Sequence, residues 1–131
     1  MTNSRLKHGL LTLTAAVLAF PAASAMAADA APQTTATFVA KSAADGQIRA
    51  GAKAFKQGQF ERSITYSRAA LKSSLSSKRA AIAHSNLCAA YASIGEMDKA
   101  STACASALEL RPGYEPALTN KAALTVRLAQ K

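Results

Sequence analysis

The sequence predicts an all-α fold of antiparallel helical hairpins, and three observations carry that prediction. Half of the 131 residues are apolar, yet only 5% are aromatic and tryptophan is absent. Alanine dominates, and it loses least on entering a helix, whereas the residues that favour strands are scarce. From Lys41 onward the chain sustains a helical pattern of apolar residues. Finally, the chain repeats itself. Gln57-Gly58-Gln59-Phe60-Glu61-Arg62-Ser63-Ile64 aligns with Ile94-Gly95-Glu96-Met97-Asp98-Lys99-Ala100-Ser101 at an offset of 37 residues, and Ala70-Leu71 then falls on Ala107-Leu108. A chain of this size has room for one small domain. A β-barrel or sandwich is excluded by composition, and a disulfide-dense scaffold by the presence of only two cysteines.

The first element, residues 1–27, reads as a secretory signal peptide. Arg5 and Lys7 give a positive start, Gly9 to Phe20 is an uncharged and mostly apolar run, and Pro21 followed by small residues ends it. Ala25-Met26-Ala27 fits a cleavage site that would leave Ala28 as the new N-terminus, with Ala23-Ser24-Ala25 two residues earlier as the alternative. An uncleaved anchor is the competing reading, but the apolar run is much shorter than the roughly 20 residues that span a bilayer. No lipobox cysteine follows it, so the expected destination is the periplasm or the exterior of a bacterium. Residues 28–40, with Pro32 and a Gln-Thr-Thr-Ala-Thr string, read as a flexible lead-in without a core of its own.

Five helices are expected in the remaining domain, residues 41–131, at about 42–57, 60–73, 78–93, 96–110 and 114–129. Gly58 and Gly95 each fall where a helix must stop, and glycine takes the left-handed conformation that ends one cheaply. Beyond each turn, Ser63 and Ala70, or Ala100 and Ala107, place small side chains on one face, so two antiparallel helices can approach closely. The stretch around 73–78, with four serines, reads as a loose junction, and Pro112 stops the fourth helix.

The pattern Asn86-Leu87-x3-Tyr91-x3-Gly95-x-Met97-x2-Ala100-x6-Ala107-Leu108-x-Leu110-x-Pro112 resembles a tetratricopeptide repeat. A first copy runs from Gly51 through Gly58, Phe60, Ser63, Tyr66 and Ala70-Leu71. It has Ser63 in place of the usual alanine, Leu75 in place of the closing proline, and extra residues before the next repeat. Glu115 to Gln130 would open a third repeat or cap the second. The resemblance implies a right-handed α-solenoid of about two and a half repeats, in which the first helix of each pair lines a concave, partner-binding face. Carried onto this chain, the groove positions are Asp45, Ile48, Ala52, Phe55 and Lys56, then Ile82, Ser85, Ala89, Ala92 and Ser93, then Thr119, Ala123, Val126 and Arg127. The Lys/Asn clamp with which some relatives hold a C-terminal carboxylate is absent, because Ile48 and Ala52 occupy its slots. Ile48, Phe55 and Ile82 read equally well as core between repeats.

Little in the sequence carries catalysis. After cleavage one histidine, His84, remains, and no Gly-rich phosphate loop, nucleophile-elbow serine or paired carboxylate motif is present. No enzymatic activity, cofactor or metal is expected. The one constellation is His84, Cys88 and Cys104. His84 and Cys88 share a helix face, and the cysteines flank the Gly95 turn at similar levels of one hairpin. They read as two small buried residues, as a disulfide contributing about 3 kcal/mol by closing its loop, or as a metal or catalytic site with His84, for which tetrahedral zinc would lack a fourth ligand.

Charge is uneven. Residues 41–79 carry nine basic residues against Asp45 and Glu61, whereas residues 80–113 carry Lys99 and Arg111 against Glu96, Asp98 and Glu109. Such a run is either a solvated face or a surface for an acidic partner, and export disfavours nucleic acid. The expected function is therefore that of an exported adaptor or scaffold that binds a protein or peptide through its concave face and basic first repeat. The contact residues would come from Ile48, Ala52, Lys53, Phe55, Lys56, Ser85, Ala89, Ser93 and Arg127. The alternatives are a homo-oligomerising envelope protein, since two and a half repeats leave an end uncovered, and a metal- or redox-active protein using His84 and the cysteines.

Overall fold

Glycine conformation sets the hairpins. In the computed structural model, which describes residues 36–131, Gly58 and Gly95 adopt φ of 72° and 85°. Around the first, the Gln59 N–H donates to the Ala54 carbonyl at 2.9 Å and the Gly58 N–H to Phe55 at 3.0 Å; around the second, Glu96 donates to Tyr91 at 2.9 Å and Gly95 to Ala92 at 3.2 Å. Both ends are Schellman caps, which satisfy carbonyls left over at a helix C-terminus. The repeat seen in the sequence is thus a repeat of backbone geometry.

The helices are α1 (Gly46–Lys56), α2 (Phe60–Leu71), α3 (Ser77–Ser93), α4 (Met97–Leu110) and α5 (Glu115–Ala129). No strand occurs among the described residues, and no described helix is long and apolar enough to cross a membrane. The expected signal peptide and both cleavage sites lie outside the described residues, as does most of the lead-in.

Boundaries differ from expectation most at α1, which begins at Gly46 rather than near residue 42. Asp45 is its N-cap: the carboxylate accepts from the Gln47 and Ile48 N–H groups at 2.9 and 3.0 Å, the standard device for orphan donors at a helix start. At the end of α2 the Ser73 hydroxyl donates to the Ala70 carbonyl at 2.6 Å, and the helix stops at Leu71 rather than 73.

Consecutive helices pack on one another, and α3 also touches α1 and α5, while α2 and α4 make no direct pairing. Through α3, the helices α1, α3 and α5 thus form one contiguous layer. Close approach depends on small side chains. Ser63, Ala70, Ala100 and Ala107 are all fully buried. Between α1 and α2 a Cβ on Gly51 would stand 3.0 Å from the Ser67 hydroxyl and 3.3 Å from the Ser63 carbonyl oxygen, too near for a side chain without a shift. Cys88 and Cys104 join α3 to α4: their sulfurs lie 2.02 Å apart and their Cα atoms 5.1 Å apart, within the range that permits a disulfide.

Candidate functional site

The residues before α1 are held, although the sequence predicts a free lead-in through Ala40. Asn86 on α3 and Asn120 on α5 each grip one residue of this segment through both of its backbone polar groups. The Lys41 N–H donates to Asn86 Oδ1 at 2.8 Å, and Asn86 Nδ2 donates back to the Lys41 carbonyl at 2.8 Å. The Val39 N–H donates to Asn120 Oδ1 at 2.8 Å, and Asn120 Nδ2 returns a bond to the Val39 carbonyl at 2.9 Å. Asn120 Nδ2 also donates to the Ser85 carbonyl and hydroxyl at 3.1 and 3.2 Å, which fixes the orientation of its amide.

Contact through residues 39 and 41, with the residue between them skipped, is the signature of extended chain, in which alternate residues face the same side. Both asparagines are fully buried, and the amide oxygen and nitrogen of each have a partner, as buried polar groups require. They read backbone rather than side chain. Ala40 is buried between the two gripped residues, and Phe38 packs against the apolar cluster that includes Ile64, Leu87 and Leu124.

Beside this segment lies an open cleft of about 1060 Å³, walled by residues 36–42 on one side and by Phe55, Lys56, Gly58, Phe60, Ser93 and Arg127 on the other. Phe55 and Phe60 face each other across the Gly58 turn with ring centroids 5.3 Å apart. Lys41, Lys56 and Arg127 give the wall three positive charges, and no carboxylate lines it among the described residues. With three cations and two aromatic rings in its lining, the cleft can attract anionic groups beside apolar ones.

The structure brings Phe55, Lys56, Ser93 and Arg127 together at this cleft. It sorts the other expected contact residues differently. Ile48, Ala52 and Ala89 are buried at helix–helix contacts and present no surface, because alanine-rich helices approach too closely for those positions to face a groove. The core alternative holds for Ile48 and for Ile82, each 8% exposed or less. Ser85 is buried as well, and acts by bracing Asn120. Lys53 is exposed on α1 but does not line the cleft. Asp45 is a helix cap.

Nothing in the sequence pattern singles out Asn120, and Asn86 enters it only as part of the repeat pattern. Their separation of 34 residues, the repeat length of the family resembled, was the available signal. It was hidden because the first repeat is displaced by 37 and puts Arg49, not asparagine, in the matching position.

His84 stands apart from this cleft. It lines a smaller one of about 340 Å³ with Leu87, Asp98, Lys99 and Thr102, and burial pushes its pKa below the usual histidine value. The two cysteines face each other instead, and no cluster of three potential metal ligands occurs among the described residues. Comparison with known proteins finds no matching family model, no similar curated protein and no similar solved structure.

Proposed function

We propose that the protein is an exported, non-enzymatic adaptor of tetratricopeptide-repeat type that holds an extended, acidic polypeptide segment against the layer formed by α1, α3 and α5. The observation that supports this reading most directly is the asparagine pair. Two buried amides one repeat apart, each bonded twice to the backbone of one residue, are a device for holding extended chain irrespective of its sequence. The cleft alongside supplies what a backbone reader lacks: Phe55 and Phe60 for an apolar side chain, Lys56 and Arg127 for carboxylates. The layer of first helices, the twin glycine caps and the small-residue hairpin faces agree with a right-handed solenoid of two and a half repeats.

Export to the periplasm, or beyond it, is part of the same proposal. It rests on the apolar run before Pro21 and the Ala25-Met26-Ala27 string. N-terminal sequencing of protein recovered from the envelope tests it, and Ala28 or Met26 should appear as the first residue.

For the adaptor itself, the mature chain should retain an envelope protein on an affinity column. Lys56→Glu together with Arg127→Glu should release it while leaving the helical circular dichroism unchanged. Equal retention by both forms would remove the cleft from the function. A homo-oligomeric reading is favoured by one observation, the exposure of Leu118 and Leu128 on terminal α5 at 39% and 48%. Sedimentation as a single monomer across a wide concentration range would eliminate it.

A further inference from the structure

The gripped segment is the chain's own, so any partner must compete with it. We infer that residues 38–41 are an internal stand-in for the partner: they occupy Asn86 and Asn120 in cis, and an incoming extended segment binds by displacing them. The inference rests on the adaptor reading above and adds to it both a competition and a recognition rule. Four hydrogen bonds that a partner backbone would need are already made, two at Val39 and two at Lys41. No sequence-specific side-chain bond is spent in making them, so the backbone of another extended chain can make the same four bonds, and its side chains decide whether it displaces this one.

The stand-in also shows what the replacement should look like. Phe38 fills an apolar site against the core, and Ala40 is only 7% exposed between the two gripped residues. A competitor needs an aromatic residue followed, two positions later, by a small one. At the next position the internal segment is poorly matched. Lys41 lines a cleft that already carries Lys56 and Arg127 and, among the described residues, no carboxylate. A competitor with Asp or Glu there exchanges repulsion for attraction and gains the advantage that displacement requires. The proposed partner is thus an extended segment of the form aromatic, any, small, acidic.

A direct test uses the full chain and two synthetic peptides with blocked ends. One has the sequence of residues 36–42; the other is the same peptide with Lys41→Glu. Binding is followed by NMR titration of the Asn86 and Asn120 side-chain amide resonances, which sense occupancy at the two bonded atoms. The receptor is compared as wild type and with Val39→Pro plus Lys41→Pro, which deletes both donated N–H groups while remaining compatible with extended chain. Phe38→Ala serves as an independent release variant that leaves the backbone donors in place.

The released variants should bind the peptides about tenfold more tightly than wild type, or better, and the Lys41→Glu peptide should bind more tightly than the native sequence. Asn86→Ala in the released background should abolish the response. Equal affinity for wild type and released variants would overturn occupancy in cis, while leaving the groove as a peptide site. Equal affinity for the two peptides would overturn the acidic position. No response in any receptor with intact helices would overturn the asparagine pair as a backbone reader, and the stand-in with it. Retention on the Lys56 and Arg127 surface would then be judged separately by the column experiment.

Discussion

Asn86→Ala isolates one of the two clamps. In the native chain Asn86 makes two bonds of 2.8 Å with the Lys41 backbone, and each such bond contributes about 1 kcal/mol net. The substitution therefore removes about 2 kcal/mol from the seating of the segment. That is about a thirtyfold shift toward the released state, since about 1.4 kcal/mol is a factor of ten. Alanine is the better helix former by about 0.6 kcal/mol, so α3 itself should not suffer. The expected outcome is local: amide exchange at Lys41 accelerates about thirtyfold and Val39 follows, because the two residues share one short extended segment. The amides of Leu87 to Ala92, inside α3, stay protected. Hydrogen exchange followed residue by residue by NMR reads this directly. Unchanged exchange at Lys41 would refute the reasoning, for it would mean that the segment is held by something other than the asparagine pair. Acceleration throughout α3 would refute it differently, by making Asn86 a structural residue of the core.

Other perturbations give distinct outcomes. Replacing both cysteines by alanine should lower stability by about 3 kcal/mol, the loop-closure contribution for cysteines 16 residues apart. Urea denaturation with and without reductant checks this, and reductant should not affect the double variant. His84 gives a pH dependence of known sign. Its pKa is lowered by burial in the fold, so the unfolded chain binds the proton more readily. Its contribution to stability is complete above about pH 6.5, the ordinary histidine value, and declines as pH falls below it. Asp98 and Lys99 are the charged groups lining its cleft, and histidine is the side chain that ordinarily changes charge near neutral pH. His84→Gln should therefore flatten the decline between about pH 7 and about pH 5 in thermal melts, and an unaltered slope would exonerate His84.

Much of this architecture could be read from local rules. Gly58 and Gly95 were legible as helix ends because left-handed backbone has few other tenants, and both adopt it. The small-residue faces at Ser63, Ala70, Ala100 and Ala107 were legible because helical spacing puts them on one side, and all four are buried. The cysteine pair could be narrowed to a few readings by its placement about one turn. Helix starts were less legible: Asp45 could equally have faced a groove, and only its bonds to Gln47 and Ile48 identify it as a cap.

Sequence alone therefore determined the helix count, the hairpin turns and the tight alanine interfaces, because each depends on residues close in the chain. The tertiary structure alone decided that Val39 meets Asn120 across 81 residues and Lys41 meets Asn86 across 45. No local pattern encodes such pairings, since asparagine reads a peptide group that every residue carries. It also decided that Ile48 and Ala89 face inward while Phe55 and Arg127 share a cleft. Which side of a helix is groove and which is core depends on how far its neighbours stand, and that distance exists only once the layers have packed.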